Sequence, residues 1–167
     1  MGVKQNKQAF VNVELIVIGK TDSVEVARLV EDYKGRVGHY TRFGITTIPD
    51  VRNTRSLSEA QQMKAEGDAI LRMLQTSDYV VLMDERGREY TSEEWAAWLQ
   101  KRMASGCKRL VFVIGGPYGF SQEVYDRADS LIALSKMPFS HQIVRAIFAE
   151  QLYRAFTIIR HEPYHHE

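Results

Sequence analysis

Short β-branched runs alternate with amphipathic stretches along the whole chain. Val13 to Ile18 (VELIVI) predicts a strand, stopped by Gly19. Val26, Val30, Tyr33 and Val37 follow at i, i+4, i+7 and i+11, one face of a helix. Phe43 to Ile48 (FGITTI) predicts a second strand, ended by Pro49. Ser58 with Gln61 has the pattern of a capping box, opening a helix to Gln75 with Ile70, Leu71 and Leu74 inward. Tyr79 to Met83 (YVVLM) predicts a third strand. Thr91 with Glu94 repeats the capping pattern and starts a helix through Trp95, Trp98 and Leu99, with Gly106 as its stop. Arg109 to Ile114 (RLVFVI) predicts a fourth strand, followed by a Gly loop. A short helix over Gln122–Ala128 and a short strand over Leu131–Leu134 come next. A long helix runs from His141 to Arg160, with Ile143, Ile147, Leu152, Phe156 and Ile159 available for burial.

This alternation predicts an α/β fold. The third and fourth strands are continuous apolar runs, as expected where helices cover both faces of a parallel sheet. No repeat, low-complexity tract or Gly/Ser/Pro-rich linker divides the chain. The expectation is one domain over residues 12–167, with residues 1–11 as an amino-terminal extension. Ligands of open parallel sheets sit at the carboxyl ends of the strands. Three loops fall there: Asp84–Arg88, Gly115–Gly119 and Ser135–Ser140.

The 167 residues suffice for one domain, and a chain this long buries roughly 70% of its unfolded surface. Lys and Arg number 22 against 21 Asp and Glu, a net charge of +1 that rules out a polybasic binder relying on bulk charge. Cys107 is the single cysteine, which excludes an intramolecular disulfide and a cysteine-based zinc ribbon. No apolar run approaches the ~20 residues that span a bilayer. The polar Met1–Val11 segment lacks the apolar stretch of a signal peptide, so the expected location is cytoplasmic.

Five segments could carry chemistry. Ile114-Gly-Gly-Pro-Tyr-Gly119 brings backbone N–H groups close to a ligand, yet it matches neither GxGxxG nor a P-loop; its bland reading is a tight turn. Met83-Asp84-Glu85-Arg86-Gly87 places an acid just past a strand, where it meets a ligand hydroxyl or caps a turn. Ser135-Lys136-Met137-Pro138-Phe139-Ser140 walls an apolar slot or packs strand against helix. On the last helix, His141 and Arg145 lie one turn apart and could handle a proton and an anion. Glu150 and Arg154 there have the spacing of an ordinary helix ion pair. His161-Glu162-Pro163-Tyr164-His165 formally matches HExxH, but a Pro inside it and the nearby chain end argue against the helix that motif needs. No metal site is expected.

Together the pieces resemble one family. They are GGPYG after a strand, then LSKM, then His141-Gln-x-x-Arg145, then Glu150-Gln-x-Tyr-Arg-Ala155, then the terminal Pro-Tyr-His. Their order and spacing are similar to those of the SPOUT-class methyltransferases that methylate N3 of a pseudouridine in large-subunit ribosomal RNA (the ribosomal RNA large subunit methyltransferase H family). The resemblance runs from VELIVIGK to the end and is strongest from Leu110 to His165. Two departures stand out: Ser140 where the family often has Pro before the His, and Tyr118 where relatives carry Glu or Asn.

The resemblance implies a parallel-sheet α/β/α SPOUT fold with a deep trefoil knot in the carboxyl half. It also implies a homodimer and S-adenosylmethionine as cofactor. It assigns cofactor contacts to Met83, Gly116, Ser135, Lys136, Met137, Pro138, Phe139 and Ser140. For the chemistry, His141 is the expected proton acceptor, with Tyr164 and His165 as competitors. Arg145 or Arg154 would stabilise the anionic base or hold a phosphate. The tail is expected to act in its own protomer or across the dimer. The near-zero net charge fits an enzyme that meets its target on the assembled ribosome, not on naked RNA. The alternatives are a non-catalytic knotted dimer that binds cofactor or RNA, and a flavodoxin-like nucleotide binder, against which the lack of a phosphate fingerprint argues.

Overall fold

The computed structural model describes residues 11–52 and 54–166. Its element order is β1 (Asn12–Ile18), α1 (Val24–Val37), β2 (Phe43–Ile48), α2 (Glu59–Met73), β3 (Tyr79–Glu89), α3 (Ser92–Ala104), β4 (Arg109–Ile114), α4 (Gln122–Arg127), β5 (Ser130–Ala133) and α5 (Ile143–Ile159). The five strands form one sheet in the order β2-β1-β4-β3-β5, and every pairing is parallel. Residues 1–10 of the expected extension lie outside the described residues. Val11 is buried, and its carbonyl accepts a hydrogen bond from Thr41 Oγ1.

The strands sort their side chains with period two. Val13, Leu15, Val17, Leu110, Phe112 and Ile114 face one core, capped by Trp95, Leu99, Phe148 and Leu152 from α3 and α5. Ile16, Ile18, Val80, Leu82, Val111 and Val113 face the other, under Ile70 of α2 and Val124 of α4. Helices on both faces therefore bury both sides of the sheet. The long helix α5 packs against both α1 and α3.

Local chemistry fixes the ends of the elements. Ser58 and Gln61 form the full capping box of α2. At α3 only half of the expected box is present: Thr91 Oγ1 accepts from the Glu94 N–H, while the Glu94 carboxylate sits 3.9 Å from Arg88 Nη2. Gly106, at φ +82, follows the end of α3, where its left-handed backbone turns the chain away from the helix.

Three sequence expectations need correction. The segment after Met83 is not a plain loop, because β3 continues to Glu89. Met83 and Arg88 both pair with Ile132, so Asp84 to Gly87 leave the ladder as a wide bulge and the strand then resumes. The last helix begins at Ile143, not His141, so His141 belongs to the turn before it. The buried stripe of α5 is Arg145, Phe148, Ala149, Leu152, Ala155 and Phe156, whereas Ile143 is exposed. Small alanines let α5 sit close to its neighbours and turn Ile143 outward.

Candidate active site

At the carboxyl ends of the strands the three unusual loops surround one cavity of about 660 Å³, a size typical of small-molecule sites. Met83 and the Asp84–Arg86 bulge form one side. Ile114 and the Gly115–Phe120 loop form the floor, and Leu134, Ser135, Met137, Pro138 and Phe139 form the opposite wall. His141 and Val144 close the end nearest α5. Met137 is 75% exposed, and Tyr118 and Phe139 are also exposed, so the rim is apolar and partly aromatic.

Gly116 lies where no side chain fits. A Cβ there would come within 2.5 Å of Glu66 Oε2. Glu66, on α2, was not singled out by the sequence. It is 3% exposed, Gln62 Nε2 donates to its Oε1 at 3.1 Å, and its Oε2 has no hydrogen-bond partner among the described residues. Burial pushes its carboxyl above the usual range; nearby Asp50 raises it further, while Gln62 and His141 oppose this.

The bulge carries its own polar triad. Tyr125 donates to Asp84 Oδ2, Arg86 lies 4.3 Å from the centre of the Tyr125 ring, and Asp84 Oδ1 accepts from the Arg86 N–H at 2.8 Å. Burial, then the bond to Asp84, pushes the Tyr125 hydroxyl up.

The expected site residues divide into four groups. Met83, Gly116, Ser135, Met137, Pro138, Phe139 and His141 line the cavity. Lys136 and Ser140 do not. Ser140 Oγ instead accepts from the Ile143 N–H at 3.2 Å and opens α5. Arg145 is 2% exposed, and its guanidinium is engaged inside the protein. Its Nη2 donates to Ile18 O and its Nη1 to Gly19 O, both at 2.7 Å; Nη1 also reaches Thr21 Oγ1 at 3.1 Å, and Nε reaches His141 O at 3.0 Å. Gln142 adds to this clamp by accepting from Asp22 N and donating to Lys20 O. The loop after β1 is thereby tied to the turn that carries His141. Desolvation pushes Arg145 below its ordinary value, opposed by Asp22 and Asp50.

Arg154, Tyr164 and His165 meet elsewhere, on the outer side of α5. Arg154 pairs with Glu150 at 2.5 Å, as its spacing predicts. Tyr164 donates to Glu150 Oε1 at 3.1 Å and lies 3.3 Å from the Tyr33 hydroxyl. Burial, then Tyr33 and Glu150, pushes its phenol well up. His165 Nδ1 lies 3.0 Å from Arg154 Nη1, and Nε2 lies 2.6 Å from Glu93 Oε1. Arginine can only donate, so Nδ1 accepts and the proton sits on Nε2, facing Glu93. Residues His161 to His165 form turns beyond the end of α5, with His161 at φ +56, so the two histidines of the HExxH string share no helical face.

A family model described as "Predicted SPOUT methyltransferase" matches residues 11–165. The chain belongs to the SPOUT methyltransferase family. Among its relatives is the ribosomal RNA large subunit methyltransferase H of Christiangramia forsetii, 56% identical over 92% of this chain and 98% of the relative. The proteins of the same name from Parabacteroides distasonis and Bacteroides fragilis are 55% and 50% identical over the same shares of each chain. A solved structure of a probable methyltransferase from Bordetella pertussis superposes with a TM-score of 0.56, covering 89% of this chain and 96% of that one at 12% identity, a likeness of fold. In this SPOUT methyltransferase the three-loop cavity is the candidate active site. No helix among the described residues is long and apolar enough to cross a membrane.

Proposed function

We propose that this protein uses S-adenosylmethionine to methylate N3 of a pseudouridine in large-subunit ribosomal RNA. The observation that carries the reading is the cavity itself. Three segments far apart in sequence, at Met83, Gly116 and Ser135–Phe139, share it with His141, in a chain 56% identical to a ribosomal RNA large subunit methyltransferase H.

The lining supports the cofactor. Met83, Ile114, Leu134, Met137 and Phe139 offer apolar surface to a purine and a thioether, and the bare Gly116 backbone allows close approach of polar groups. When bound, S-adenosylmethionine supplies a methyl group activated on a sulfonium. The protein must then align that carbon with N3 and remove the N3 proton as the new N–C bond forms and the C–S bond breaks. His141, at the cavity end, receives the proton. Arg145 acts as a positioning residue, holding the His141 carbonyl and the β1 loop together. Lys136 and Ser140 flank the cofactor segment from outside the cavity.

Tyr164, His165 and Arg154 line a different surface of their own protomer. The reading therefore places them at the partner's cavity in a homodimer, with Arg154 binding RNA. The carboxyl half is knotted in this reading. The acceptor is the assembled ribosome in the cytoplasm, consistent with a net charge of +1.

The test is transfer of labelled methyl to intact ribosomes lacking the modification, free large subunits and stripped RNA, side by side. Label in the large-subunit RNA of intact ribosomes is expected. Efficient labelling of stripped RNA would refute the ribosome requirement, and no label on any acceptor would refute the activity.

A further inference from the structure

Glu66 is an expensive residue to keep. A buried carboxylate oxygen without a donor costs more than a buried neutral group, and such an atom calls for an explanation. Its location suggests one. A Cβ on Gly116, in the floor of the cavity, would lie 2.5 Å from Oε2, while Glu66 itself stands behind the lining residues. Gln62 takes only Oε1. The adjoining Gly67 is bare for a related reason, since a Cβ there would lie 2.3 Å from Ser121 Oγ, another buried atom without a partner among the described residues. Neither α2 nor the Gly loop brings a cation to this oxygen. The titratable groups that face it are Asp50 and, at the cavity end, His141. The Arg145 guanidinium already has the opposite charges of Asp22 and Asp50 near it.

The carboxylates that line the cavity serve elsewhere. Asp84 is held by Tyr125 and the Arg86 backbone, and Glu85 is exposed to solvent. When ionised, Glu66 places a negative charge behind the loop, shielded from water and screened less than a surface charge.

We propose that Glu66 makes the cavity charge-selective: its carboxylate favours the cationic sulfonium of S-adenosylmethionine over the neutral thioether left after methyl transfer. This rests on the cofactor reading above. It gives the site a reason to hold the donor and release the spent product, because the positive charge disappears in the reaction itself. A residue that merely shaped the Gly loop would treat both molecules alike, since they differ by one methyl group and one charge.

The test is calorimetric titration of the wild-type protein and Glu66→Gln with S-adenosylmethionine and, separately, S-adenosylhomocysteine at pH 8.5. The expected result is a Kd for S-adenosylmethionine about tenfold weaker in Glu66→Gln, about 1.4 kcal/mol, with S-adenosylhomocysteine changed less than about twofold, the scale of one partly screened charge pair. Glu66→Asp, which keeps the charge, should retain the preference. Equal weakening of both ligands in Glu66→Gln, or no weakening of either, would overturn the proposal and leave the cofactor reading intact. Binding of neither ligand by the wild-type protein would overturn both.

Discussion

The spacing of His141 and Arg145 predicts an anion-binding guanidinium, but the surroundings of Arg145 predict a different consequence when it is removed. Its guanidinium satisfies the carbonyls of Ile18 and Gly19 at 2.7 Å each and that of His141 at 3.0 Å, all with the side chain buried. Arg145→Ala strands these acceptors and opens a space of arginine size. An acceptor left unsatisfied in the interior costs about 1–3 kcal/mol. Three carbonyls are stranded and some will recover water, so the loss comes to about 3–5 kcal/mol. Against a total stability of about 5–15 kcal/mol this is a large fraction, and at about 2–4 °C per kcal/mol for a chain of this size it lowers Tm by roughly 6–20 °C. Arg145→Lys keeps the charge but loses the fork that reaches two carbonyls at once, so it should fall between wild type and Ala. The assay is thermal and urea unfolding of the three proteins at one pH, with S-adenosylhomocysteine affinity measured on the folded fraction. A Tm for Arg145→Ala within about 2 °C of wild type, together with lost turnover, would refute the structural reasoning and return the guanidinium to the chemistry.

Other outcomes follow from single contacts. Glu66→Gln should raise Tm at pH 8 and leave it unchanged near pH 4. A carboxyl whose folded-state titration lies above its unfolded one binds its proton more tightly when folded, so stability falls as pH rises through that window, by about 1.4 kcal/mol for each pH unit between the two. A glutamine already neutral has no such window, and an equal Tm difference at both pH values would contradict the assignment. Gly87→Ala should destabilise by roughly 1–3 kcal/mol in urea unfolding, because its Cβ would meet backbone atoms of Leu131 and Ile132 at 2.5–2.6 Å; an unchanged midpoint would mean that the bulge has room to move. Removal of residues 163–167 should cut methyl transfer far more than cofactor affinity, since Tyr164 and His165 are bound to Tyr33, Glu150, Arg154 and Glu93 and not to the cavity. A matching loss of cofactor affinity would refute the separation of the tail from cofactor binding.

Much of the frame was legible in the chain. The strands Phe43–Ile48 and Arg109–Ile114 have the bounds their β-branched runs and flanking breakers predict, and Ser58–Gln61 caps as expected. On α5 the expected Leu152 and Phe156 are buried but Ile143 is exposed, because that helix is apolar on most sides. Periodicity gives no phase there, and the choice falls to Ala146, Ala149 and Ala155, whose small side chains admit close packing. The wide bulge at Asp84–Gly87 was hidden because pairing register depends on the partner strand. Arg145 reaches carbonyls more than 120 positions away, a contact no local pattern encodes. Glu66 looked like one more charge on a polar helix. Its signal was the next residue: a glycine in mid-helix costs about 1 kcal/mol, and Gly67 marks the close approach of the Ser121 segment that also buries Glu66.

The most direct measurement of the central claim is mass spectrometry of nucleosides from large-subunit RNA of a host lacking its own enzyme of this kind, before and after this chain is expressed. The account predicts that N3-methylated pseudouridine appears with the wild-type chain and fails to appear with His141→Ala. An unchanged nucleoside profile with folded, expressed wild-type protein would contradict it.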